Sequence, residues 1–258
     1  MRAVTRLSRW IRMALHTLAV AAACTGVTAC KGGGGSPNSP SGSGGGGSTS
    51  SPSCRTAAGI SHSVQTFTAT GQTVTSDTTC AHNTATNDVV CNSTVVDSVG
   101  GSGTLTQTSR FSSRADIVDE VAVNPPLARS LGTTTVTVLG GVSLTTTATN
   151  TYDSQQRLTS TQTVTPIPVV GQITTTMTFN AWDTSGRPTG GSITLSPGGT
   201  NPISYTYDAT NRTATRNLGL NTCTVTYDPN GNITREVCTG TQPSTTTVTI
   251  NSTQQICK

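Results

Sequence analysis

The stretch CTVTYDPNGNITREVC, residues 223–238, decides the fold class. At its centre, Asp228-Pro229-Asn230-Gly231 is turn chemistry. Asp suits the first position of a type I turn, Pro229 pre-sets φ at the second, and Gly231 tolerates a left-handed backbone. Strand-favouring residues flank it, Thr224 to Tyr227 before and Ile233, Thr234 and Val237 after. The segment therefore reads as a β-hairpin. Two registers fit. A three-residue loop with a Gly bulge pairs Cys223 with Val237. A four-residue loop over 229–232 sets Cys223 opposite Cys238, where strand Cα atoms lie about 4.5–5.5 Å apart, within disulfide reach. The two cysteines favour the second register.

Disulfides persist in oxidising compartments, and the N-terminus carries a matching export signal. Arg2, Arg6, Arg9 and Arg12 form a basic segment, followed by the short apolar run MALHTLAVAAA and then small residues. That pattern is a secretory signal, too short and weakly apolar to span a bilayer. Its last step, Val27-Thr28-Ala29-Cys30, resembles the lipobox of bacterial lipoproteins. The resemblance implies cleavage before Cys30, which then carries acyl chains such as palmitate and anchors the chain in a membrane. Ala22-Ala23-Cys24 competes less well, because Ala21 stands where a larger aliphatic residue belongs. Of the eight cysteines, cleavage before Cys30 leaves Cys54, Cys80, Cys91, Cys223, Cys238 and Cys257 for disulfides. An even set can pair fully. Cys223–Cys238 is the favoured pair, then Cys80–Cys91, with Cys54–Cys257 closing the domain ends. Lys31 stands where lipoproteins retained at the inner membrane have Asp, so the resemblance points to the outer membrane, facing the periplasm or the cell surface.

The formal charge of +4 comes from the four signal arginines, since residues 1–29 contain no acid. The rest is neutral, with no basic stripe, so no nucleic-acid partner is expected. Residues 31–53, KGGGGSPNSPSGSGGGGSTSSPS, offer nothing to bury and read as a flexible tether. The expected organisation is a signal peptide at 1–29, a Gly/Ser-rich tether at 30–53, and a Thr-rich domain at 54–258.

That domain has no convincing amphipathic helix. The nearest candidate, RFSSRADIVDEVA (110–122), is short and precedes Pro125 and Pro126. Elsewhere the signal is alternation: TTTVTV (133–138), ITTTMTF (173–179) and STTTVTI (244–250). Thr and Val at period two fit strands, and Gly and Pro clusters punctuate them. The chain is expected to be all-β, successive antiparallel hairpins forming an extended twisted sheet or partial shell. Aromatic content of 3 % leaves little to bury, so disulfides of typically 2–4 kcal/mol matter.

The opening hairpin has relatives. YDSQQRLT begins at Tyr152, WDTSGRPT at Trp182, YDATNRTA at Tyr207 and YDPNGNIT at Tyr227. Each joins an aromatic to Asp (Asp153, Asp183, Asp208, Asp228) and has Arg or Asn five residues after the aromatic. Here, over about 152–238, the chain resembles the YD-repeat (Rhs-type) family, whose units form stacked β-hairpins in strips or shells. The toxin-delivering members carry many more units and a separate effector domain, so toxin delivery does not carry over. The four Asp carboxylates are expected to accept backbone N–H bonds across their turns rather than to act as catalytic acids or Ca²⁺ ligands.

No catalytic, cofactor or metal site is expected. Phosphate-loop, nucleophile-elbow and zinc-protease motifs do not occur. Cys80-Ala81-His82 lacks a second metal-binding pair, and an even cysteine set leaves Cys80 oxidised. The reading is a lipid-anchored, non-enzymatic envelope protein presenting hairpins for adhesion, scaffolding or envelope assembly, with an envelope protein or polysaccharide as partner. The alternative is a carbohydrate-active or cell-wall-acting protein with a shallow cleft, for which Trp182, Tyr205 and Tyr207 are the available aromatic platform.

Overall fold

The computed structural model describes residues 54–83, 85–113, 130–167, 171–208, 210, 213–219, 221–229 and 232–257, with side chains from Ala57 to Ile256. The signal, Cys30, the tether, Asn230-Gly231 and residues 114–122 of the helical candidate lie outside the described residues, as do the side chains of Cys54 and Cys257.

Fourteen strands follow one another: β1 Cys54–Phe67, β2 Thr73–Asn83, β3 Asp88–Asp97, β4 Ser102–Arg110, β5 Gly132–Leu139, β6 Val142–Tyr152, β7 Leu158–Ile167, β8 Gly171–Trp182, β9 Pro188–Ser196, β10 Thr200–Tyr207, β11 Thr213–Asn217, β12 Asn221–Tyr227, β13 Ile233–Gly240 and β14 Ser244–Cys257. Every strand pairs antiparallel with its sequence neighbours. The all-β hairpin architecture follows from Thr/Val alternation broken by turn residues.

Closure goes further than the extended sheet or partial shell expected from sequence. β1 and β14 pair from Cys54↔Cys257 to Phe67↔Ser244, which makes a closed barrel. An open sheet would leave two edges of unpaired N–H and C=O groups. Both end strands are 14 residues long, so the seam satisfies those groups along its length.

The inward face has two kinds of lining. Apolar clusters form around Ala57, Val89, Cys91, Phe111 and Ile256, around Leu158, Phe179 and Ile203, and around Ala214, Val225 and Tyr227. Between them the interior is hydroxylic. Ser109, Thr135 and Thr165 are at most 2 % exposed, and cross-strand bonds such as Ser109–Thr133 and Thr146–Thr165 hold such groups. A buried hydroxyl without a partner costs about 1–3 kcal/mol, so these pairs let threonine serve as core in a chain with few large side chains.

Antiparallel order sorts the connections into two ends. Those after even-numbered strands share one end with Cys54, the first residue of β1; we call it the proximal end. Those after odd-numbered strands form the distal end. All four aromatic-Asp segments are proximal.

Candidate functional site

The proximal end is built from repeated turns. In the β6–β7 connection the Asp153 N–H donates to the Arg157 carbonyl at 3.0 Å, and the Gln156 N–H donates to the Asp153 carbonyl at 3.0 Å. The β8–β9 connection repeats both bonds with Asp183, Gly186 and Arg187. The fourth residue of each loop is left-handed, with φ 61° at Gln156 and 78° at Gly186. Gly takes that conformation at no steric cost; Gln156 does not.

The carboxylates then bind their own loops. Asp153 Oδ1 accepts the N–H groups of Gln155 and Arg157, both at 2.9 Å, while Oδ2 accepts Arg157 Nε at 2.7 Å. Asp183 does the same with Ser185 and Arg187. Asp228 Oδ1 accepts Asn232 N–H at 2.8 Å, and Oδ2 accepts the Asn232 side-chain amide at 2.9 Å, so Asn replaces Arg without losing the clasp. The Arg157 backbone N–H is the chief cause holding the Asp153 carboxyl below the usual range. Burial pushes Asp183 up, but the Arg187 N–H and guanidinium outweigh it and the net shift is downward.

Threonine completes the unit. Where the eighth residue is Thr, the strand bulges there: pairing jumps from Thr151↔Ser160 to Tyr152↔Leu158, from Ala181↔Gly190 to Trp182↔Pro188, and from Thr226↔Arg235 to Tyr227↔Ile233. The skipped residues are Thr159, Thr189 and Thr234, and the hydroxyls of Thr159 and Thr234 donate to the carbonyls of Thr151 and Thr226. The third segment has Ala214 at this position, and Tyr207↔Ala214 pairs without a shift. The bulge also settles the opening register. Asp228 N–H donates to Asn232 O, the tight loop, and the extra residue at Thr234 brings Cys223 opposite Cys238 all the same. A disulfide joins them, and another joins Cys80 to Cys91.

Successive turns interlock through their aromatics. Arg157 lies over the ring of Trp182, the aromatic of the next segment, 4.4 Å from its centroid. Arg187 lies over Tyr207 at 4.2 Å. Each aromatic also bonds the carbonyl of the residue after that Arg: Trp182 Nε1 donates to Leu158 O at 3.1 Å, and Tyr207 OH to Pro188 O at 2.8 Å. Tyr152 OH donates likewise to Ser130 O at 2.7 Å. Sequence reasoning did not single out Ser130; the signal was that it follows an arginine, Arg129, as Leu158 and Pro188 do.

This stitching removes the candidate aromatic platform. Trp182 and Tyr205 pack against the Leu158–Phe179–Ile203 cluster and Tyr207 against the Ala214–Val225–Tyr227 cluster, all facing inward. Phe179 and Tyr205 meet at 6.0 Å between centroids. Burial raises the phenol pKa of both Tyr205 and Tyr207 and holds that of Tyr227 up at about 12, against the lowering effect of Arg216. Cys80 is disulfide-bonded, so it supplies no thiolate for a metal pair with His82.

The distal end differs. Of the seven exposed large apolar side chains among the described residues, Val96, Val99, Val138, Val142 and Leu195 lie there, with Val99 64 % exposed; the others are Ile60 and Leu131. Asp97 is the one charged residue at the described distal turns, and its carboxylate is spent on the N–H groups of Val99 and Gly101. From β5 to β12 the strands carry one charged residue, Arg216, which is buried. No family model matches the chain, and no curated protein matches its sequence.

Proposed function

We propose that the chain is a lipid-anchored, non-enzymatic protein of the outer membrane that presents its hairpin barrel for adhesion or scaffolding in the envelope. The observation that carries this reading is the polarity of the barrel. At the end that carries Cys54, the carboxylates of Asp153, Asp183 and Asp228 are clasped by their own loops and Trp182 and Tyr207 are stitched to the preceding segments. The opposite end offers a valine-tipped rim whose one charge among the described residues, Asp97, is bound into its own turn.

Cys54 opens β1 at the stitched end, so a chain anchored through Cys30 enters the barrel there, opposite the valine-tipped rim. The wall supports attachment by lipid rather than by insertion. A spanning barrel needs an outward apolar band with aromatic girdles, whereas the outward positions at the middle of β6 are Thr145, Thr147 and Thr149. The same reading favours a protein or neutral polysaccharide partner. The inward packing of Trp182, Tyr205 and Tyr207 argues against the cleft of a carbohydrate-active protein. The aromatic-Asp units, three of them ending in Thr, are the sequence features by which this chain resembles the YD-repeat family.

Fractionation and adhesion test the reading together. Metabolic labelling with an alkyne fatty acid should mark the wild type and miss Cys30→Ala, which moves to the soluble fraction. Beads coated with purified protein should hold envelope fragments several-fold less well when Val99→Asp and Val142→Asp charge the rim. Equal labelling of Cys30→Ala sinks the anchor; unchanged adhesion sinks the rim.

A further inference from the structure

We propose that Cys223 and Cys238, once reduced by a dithiol, become a binding site for a soft divalent cation, Zn²⁺ or Cd²⁺, with Glu236 as the third ligand. Period-two geometry places all three on the inward face: Cys223 opposes Cys238, and Glu236 lies two residues before Cys238 on β13. The two Sγ atoms and a Glu236 carboxylate oxygen lie within 4.8 Å of one another, the one such three-ligand group among the described residues. Glu236 Oε1 is 3.6 Å from Cys238 Sγ. The Cys80–Cys91 pair has no comparable third ligand among the described residues.

Charge supports the assignment. Glu236 is ion-paired with buried Arg216, so that pair is neutral before any metal arrives. Two bare thiolates beside the Glu236 carboxylate would put uncompensated negative charge in a low-dielectric interior, which is costly. A divalent cation cancels it: two thiolates and M²⁺ sum to zero beside the neutral Arg–Glu pair. Thiolates select soft and borderline ions over Mg²⁺ or Ca²⁺. Three protein ligands leave the fourth tetrahedral position to water.

The chemistry balances in two steps. The dithiol transfers two electrons and two protons to the disulfide, breaking S–S to give two thiols, and is itself oxidised to a disulfide. The cation then displaces both thiol protons to solvent as two M–S bonds form. The oxidised pair offers no thiolate, so binding is gated by redox state. Cys223 is 4 % exposed, while Cys238 is half-buried and gives the route in.

The test titrates Cd²⁺ into the full chain after reduction with a phosphine, following the ultraviolet sulfur-to-cadmium charge-transfer band. The expected result is one tightly bound equivalent that is absent before reduction and lost in the Cys223→Ser/Cys238→Ser variant. Glu236→Gln should weaken binding at least tenfold. Because that change also breaks the pair with Arg216, Glu236→Asp serves as a second variant, keeping the charge while drawing the carboxylate back; it should bind more weakly with unchanged circular dichroism. Affinity equal to wild type in Glu236→Asp and Glu236→Gln, full Cd²⁺ uptake in the double Ser variant, or a reduced chain that unfolds would each overturn the proposal.

Discussion

Two turns at opposite ends of the barrel use one carboxylate device with different consequences. At the distal end, Asp97 Oδ1 accepts the N–H groups two and four residues on, and Gly100 takes the left-handed position at φ 89°. At the proximal end, Asp183 does the same with Gly186 at φ 78°. The loops share their backbone bonds as well. What differs is the company. Val96 precedes Asp97 where Trp182 precedes Asp183, and Gly101 stands where Arg187 does. The Asp closes a turn wherever it sits; the aromatic and the Arg join that turn to the next. The distal loop remains free at its apolar tip, whereas the proximal loops form a chain from Ser130 to Tyr207.

Substituting the residue before each Asp breaks the comparison most sharply. Trp182→Ala removes a packed indole, its bond to Leu158 O and the stack with Arg157, and large aromatic truncations cost about 3–5 kcal/mol. Val96→Ala at the counterpart position, 51 % exposed, should cost less than about 1 kcal/mol. Urea midpoints of the two variants measure the contrast.

Alkaline titration separates the ends next. The Tyr227 phenol, held neutral by burial up to about 12, ionises near 10 when unfolded. Its contribution is complete below about pH 10 and is lost as pH rises toward 12, because the unfolded state releases its proton first. The loss should reach roughly 2–3 kcal/mol at about 1.4 kcal/mol per unit. Tyr227→Phe should reduce the fall in stability between about pH 9.5 and 11.5. An undiminished fall would assign alkaline unfolding elsewhere.

Much of this was legible in the sequence where the cause is local. Asp, Gly and Pro reveal turns because their backbone preferences need no partner, so the four aromatic-Asp segments and the strand alternation could be read directly. The Asp97 turn has Val96 in place of the aromatic neighbour that marks the other four in the sequence. The role of Thr159, Thr189 and Thr234 was hidden because a bulge appears only against a partner strand. Closure depends on β1 meeting β14 across the whole domain, and the Arg216–Glu236 pair on registers across three strands. Neither has a local signature.

Acid sharpens the contrast between the carboxylates themselves. Asp153 and Asp183 have lowered values, so their contribution is present above about pH 4 and is lost as pH falls through the lowered folded value. Asp183→Asn, which loses the ionic bond to Arg187, should cost about 1–2 kcal/mol at neutral pH and flatten the acid limb. Asp97→Asn has no Arg partner to lose and should cost about 0.5–1 kcal/mol. Equal costs and equal acid limbs would mean that the guanidinium adds nothing to the turn.

The smallest effect tests the central claim most directly, that neighbouring proximal turns are energetically joined. A double-mutant cycle on Arg187 and Tyr207, with Arg187→Met, Tyr207→Leu and the double variant unfolded in urea, isolates the contact between segments. The stitched arrangement predicts a favourable coupling of about 0.5–1 kcal/mol, the range for a partly exposed cation–π contact. Additive costs, with coupling indistinguishable from zero, would contradict it and reduce each turn to an independent hairpin.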